Sequence, residues 1–71
     1  MDRKTTEFII YIIHEIANSK NEAPSKIYKV LENTGCIQEY LVPFYDVLHT
    51  MSSESVIDDV KEFIEARGVV I

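Results

Sequence analysis

One stretch restricts what this chain can become: Gly35 to Met51, reading GCIQEYLVPFYDVLHTM. At helical spacing Ile37, Tyr40, Leu41, Phe44, Tyr45, Leu48 and Met51 fall on one stripe, the i, i+3, i+4, i+7 pattern of a buried helix face. Glu39, Pro43, Asp46 and His49 fall on the other side. Proline inside a helix removes a hydrogen bond, and its ring crowds the preceding turn. The stripe nevertheless keeps phase across Pro43. The spacing therefore predicts one helix over 36–51 kinked at Pro43, or two nearly collinear helices broken there. A helix starting afresh at Pro43 is the close competitor.

The flanking segments must supply the other faces of the core. The first helix is expected over 5–19, with Thr5 or Thr6 capping its first turn. Phe8, Ile9, Ile10, Ile12, Ile13, Ile16 and Ala17 cover more than half of its circumference, wider than the ~100° stripe of a surface helix. The run Ile9–Ile13 would also suit a strand, but no second strand-like run precedes the C-terminus to pair with it. Either this helix is sandwiched centrally or its extra edge meets another subunit. Phe8, Ile9, Ile10, Ile13 and Ala17 are thus a candidate interface.

Pro24 suits the first position of a second helix, 24–33, in which Ile27, Tyr28, Val30 and Leu31 face inward. Gly35 is free to take the left-handed conformation that ends it. Ser52 or Ser53 caps a last helix, 53–67, with Val56, Ile57, Val60, Phe63 and Ile64 as its inner stripe. Arg67 and Gly68 close that helix. The tail Val69–Ile71 either packs back on the core or adds an edge strand to a partner. The expected fold is all-α: a compact bundle of about four helices, residues 1–71 forming one domain.

A chain of 71 residues buries only about 60% of its unfolded surface. Its single cysteine, Cys36, rules out an intramolecular disulfide and fits a reducing cytoplasm. Phe8–Ile13 is shorter than the apolar region of a signal peptide, and no stretch approaches the roughly 20 apolar residues of a membrane span. The chain reads as soluble and cytoplasmic, with no membrane partner. Its formal net charge is -5, and residues 52–71 are the acidic end. Such a surface repels phosphate backbones and favours solubility or a basic protein partner. Helix, glycine turn and helix over Pro24–Met51 share the outline of a helix-turn-helix. The second helix has no Lys or Arg with which to neutralise phosphates, so nucleic-acid binding is rejected.

Tyr45, Asp46 and His49 form the sharpest chemical constellation. Asp46 and His49 are three apart and Tyr45 and His49 four apart, hence neighbours on a helix surface. A carboxylate orienting an imidazole is half of a catalytic triad, but no residue completes the set as nucleophile. The three are a candidate functional surface, and an enzyme or small-ligand site there is the alternative to an interaction module. The plainer reading places His49 near a helix C-terminus, where an imidazolium meets the dipole favourably. Two histidines and one thiol fall short of the four ligands of structural zinc; no metal or cofactor is expected. Cys36 would be reactive at a helix N-terminus and inert as a small buried hydrophobe.

Three runs carry a family resemblance: Glu7–Ile13, Pro24–Leu31, and Tyr40–Thr50 with its Tyr-Asp-x-Leu-His-Thr signature. Asp58-Asp59 and the terminal Arg67-Gly68 complete it. Together they resemble a family of small uncharacterised bacterial proteins (domain of unknown function 3791). The resemblance covers almost the whole chain and implies a stand-alone cytoplasmic domain with no established activity. It further implies genes lying beside a larger reading frame that looks like an ADP-ribosyltransferase, and hence a partner-binding or antitoxin-like role. From the residues themselves, the leading expectation is a small protein–protein interaction module, its partner another protein or a second copy.

Overall fold

The computed structural model describes residues 1–71 and is built from helices alone. α1 spans Arg3–Lys20 and α2 Pro24–Asn33; a π-helical turn, Ile37–Leu41, and a single-turn α3, Tyr45–Leu48, precede α4, Ser53–Glu65. The chain is all-α.

Each boundary has a local cause. α1 begins two residues before the expected threonine cap, because Asp2 takes that role: its carboxylate accepts from the Thr5 amide at 2.8 Å. A carboxylate there satisfies an orphan N–H and also meets the positive end of the helix dipole. Those hydrogen bonds hold the Asp2 carboxyl below its usual range. Asn21 closes α1 in the left-handed region, φ 54°. Pro24 opens α2 at its first position, and Gly35 follows its end at φ 82°. Ser52 caps α4, accepting from the Ser55 amide. Beyond α4, Gly68 is at φ 84°, and the Val69 amide donates back to Ile64 O at 3.1 Å.

The third helical region breaks at Pro43, for a reason visible in its hydrogen bonds. The Val42 amide donates to Ile37 O at 2.9 Å, an i→i−5 bond. The widened π turn absorbs one extra residue just before the proline, whose ring would otherwise meet the Glu39 carbonyl. After the break the Phe44 amide returns to Tyr40 O at 3.1 Å. The expected stripe does not stay in phase across this. Ile37, Leu41 and Leu48 are buried, Tyr40 and Tyr45 half-buried, whereas Phe44 is exposed and Met51 faces outward.

α1 lies centrally, packed on α2 along one side and on α4 along the other. Its Ile9, Ile12, Ile13, Ile16 and Ala17 meet Ile27 and Leu31 of α2, Cys36, Ile37 and Leu41 around the π turn, Leu48, and Val56, Val60 and Ile64 of α4. The over-wide apolar face thus serves two neighbours at once. The tail turns back, with Val69 and Ile71 against the core.

Gly35 and Gly68 share a backbone conformation but not surroundings. A methyl group on Gly35 would collide with Glu39 Oε2 and press on Arg67 Nη1, whereas one on Gly68 meets open space. Gly68→Ala should cost about 1 kcal/mol of stability from the backbone alone, and Gly35→Ala about 2–3 kcal/mol. Urea unfolding checks this; equal losses would show that the close approach at Gly35 has no weight.

Candidate docking site

The Tyr45, Asp46 and His49 trio is only partly assembled. His49 stacks on the Tyr45 ring, centroids 4.7 Å apart at 17°. Its Nδ1 lies 2.8 Å from the Tyr45 carbonyl oxygen. A carbonyl only accepts, so Nδ1 carries the proton in that bond. The Tyr45 ring also meets Phe8 edge-on at 5.5 Å. Asp46 is exposed, and no hydrogen bond or ion pair joins it to His49. None of the cavities is lined by any of the three. His49 is therefore oriented by its own preceding turn rather than by a carboxylate.

A second constellation joins the C-terminal end to the middle of the chain. Arg67 donates from Nη2 to Glu39 Oε1 at 2.9 Å and from Nη1 to Glu39 Oε2 at 3.1 Å, a bidentate pair. Nη1 also reaches Thr34 O at 2.8 Å, and the guanidinium lies 4.3 Å from the centre of the Phe63 ring. Phe63 stacks on Tyr40, centroids 6.0 Å apart, and the Tyr40 hydroxyl donates to Asp59 at 3.0 Å. Burial first, and then the Asp59 acceptor and its charge, push that hydroxyl up to about 12. Beneath the clamp Cys36 is fully buried, and burial pushes its thiol up to about 12 against the opposing pull of Arg67. Of the two readings open for this cysteine, the buried hydrophobe is the one the structure shows. No three His, Cys, Asp or Glu side chains converge where a cation could be held.

An apolar concave surface lies elsewhere, between α1 and α2. It is a groove of about 380 Å³. Ile9, Ile10 and Ile13 of α1 and Ile37 of the π turn make its wall, with Met1 and Thr6 at one edge and Tyr28, Glu32 and Gln38 at the other. Ile10 is 50% exposed and Tyr28 47%. Of the five candidate interface residues, Ile9, Ile13 and Ala17 are buried in the chain's own core, Phe8 is half-buried, and Ile10 alone stands out to solvent. Tyr28, expected to face inward, instead stands at the groove's lip. The α2 contribution is not visible in the periodicity, because it depends on how α2 seats against α1. Its one local signal is Tyr28 and Glu32 at i, i+4 beside the inward Ile27 and Leu31.

Glu32 is the one charged side chain among those that line the groove. As an acceptor within reach of the Tyr28 hydroxyl, and as a negative charge beside it, Glu32 pushes that hydroxyl above its ordinary value. Glu32 has no cationic partner: the chain's ion pairs are Arg3–Glu7, Lys26–Glu22 and Arg67–Glu39.

Fold and surface define a small all-α domain with one apolar groove and a C-terminal arginine clamp. The chain belongs to the family described as protein of unknown function (DUF3791), whose model matches residues 7–67. No curated protein and no solved structure matches it. No helix is long and apolar enough to cross a membrane.

Two measurements follow. The Arg67 guanidinium, by hydrogen bond and charge, lowers the Glu39 carboxyl below its ordinary 4.5. A lowered folded-state value contributes stability present above the unfolded value and lost as pH falls through the folded one. Glu39→Gln should therefore be less stable than wild type at neutral pH, and the two urea midpoints should converge as pH drops below that carboxylate's range. A gap independent of pH would refute the ion pair's role. The Cys36 thiol should resist a thiol reagent such as DTNB in the native state at pH 8 and react fully in urea, since burial removes both access and thiolate.

Proposed function

We propose that the chain is a small protein–protein interaction module whose docking face is the α1–α2 groove. The observation that carries this reading is the half-exposed pair Ile10 and Tyr28 flanking a concave apolar surface, on a domain too small to leave such surface open without cost. Four isoleucines already line the wall, so an entering apolar side chain meets a preformed pocket rather than a flat patch. A cytoplasmic setting is consistent with the lone reduced cysteine, and the antitoxin-like role implied by the family resemblance would be one instance of such docking. Self-association is the narrower version, and of the α1 interface candidates it rests on Ile10, which stays exposed while Ile9 and Ile13 are buried.

A photo-crosslinking amino acid placed at Ile10 in the native cell should yield one discrete adduct, and the same group at Asp58, exposed on α4 and outside the groove, should not. An adduct of twice the chain's mass would mean that a second copy docks there. Equal labelling at both positions, or none at Ile10, removes the reading.

A further inference from the structure

Resting on that reading, we infer that the groove takes a basic amphipathic helix from a different polypeptide, with a Lys or Arg of that helix paired to Glu32.

Three observations converge. The wall along α1 runs from Thr6 to Ile13, about 10 Å or two helical turns at 1.5 Å per residue. That length accepts the i, i+3, i+4 and i+7 anchors with which an amphipathic helix docks in a groove. The lining carries one charged side chain, the Glu32 carboxylate, and no ion pair joins it to a cation of the chain. Arg3 and Glu7, near Ile10 on α1, are occupied with each other at 3.0 Å. A cation placed at the lip by the incoming helix would complete a pair that the fold leaves half-made, and the overall charge of -5 steers a basic segment toward it.

The same observations argue against a second copy. A two-fold contact presents the same patch from both sides. Centred here, it would set groove against groove, leaving the concavity unfilled, and bring two Glu32 carboxylates together. A convex, positively charged occupant satisfies both shape and charge.

The test uses the ¹⁵N-labelled full chain titrated with two synthetic 18-residue peptides that share one leucine stripe, one with lysine and one with glutamate on its polar face. The lysine peptide should shift the amides of Thr6–Ile13 and Tyr28–Glu32, and the glutamate peptide should bind more weakly. Glu32→Gln should weaken the lysine peptide about threefold, the size of one partly exposed ion pair, while Glu54→Gln, which removes an equal charge on α4, should not. Glu32→Lys should move the preference to the glutamate peptide, and Ile10→Ser should weaken both. All three substituted residues are exposed, so these variants retain the fold.

Equal binding of the two peptides in the groove, or no effect of Glu32→Lys, overturns the charge assignment and leaves the docking face standing. Shifts confined to the acidic face of α4 reduce the attraction to bulk charge and overturn the inference. Groove amides that move with neither peptide, or a dimer in sedimentation that Ile10→Ser dissolves, also overturn it. The crosslink at Ile10 judges the docking reading separately.

Discussion

The structure depends on α1 serving two neighbours at once. A helix with an ordinary apolar stripe can cover one partner; Ile9, Ile12, Ile13, Ile16 and Ala17 give this one contact with α2 on one side and α4 on the other. In a chain this short there is no second layer to complete the core. Every other element is placed by where it meets that central helix. The groove belongs to the same geometry, since Ile9, Ile10 and Ile13 of α1 line it together with Tyr28 and Glu32 of α2 and Ile37 of the π turn.

The C-terminal clamp solves a different problem. α4 and the turn after α2 are distant in sequence, and few apolar side chains join them directly. Arg67 binds both the Glu39 carboxylate and the Thr34 carbonyl while lying over Phe63, so one guanidinium ties three segments. Arginine suits this better than lysine, because its planar fork makes parallel bonds to a carboxylate and stacks on an aromatic ring.

Much of this was legible in the residues. Pro24, Gly35, Ser52 and Gly68 mark their boundaries by conformational demands that do not depend on the rest of the fold. The all-α class follows from stripes at helical period and the want of a second strand. Harder to read was the phase after Pro43, since periodicity assumes one continuous ladder and the π turn slips it by a residue; Phe44 and Met51 left the core for that reason. The Asp2 cap lost to Thr5 and Thr6 on paper because hydroxyls are sufficient caps and nothing local ranks a carboxylate above them. The site itself was half legible. Ile10 emerged from an excess of isoleucine on one helix, but Tyr28 and Glu32 acquire meaning only once α2 is seated. The pairing of Asp46 with His49 looked equally sound at i, i+3, and the stacked Tyr45 ring took the imidazole instead.

The π turn at Ile37–Leu41 is an insertion recorded in the backbone. One residue more than an α-helix needs is held there, and the proline two positions later accepts the distortion. Deleting a residue there would take away the extra place that lets the Pro43 ring clear the preceding turn, and would swing everything downstream by about 100° around the helix axis. Leu48 would leave the interior and the clamp would miss its carboxylate. The length of this segment is thus under tighter constraint than its composition, and descendants of this chain can trade side chains here far more freely than they can lose one.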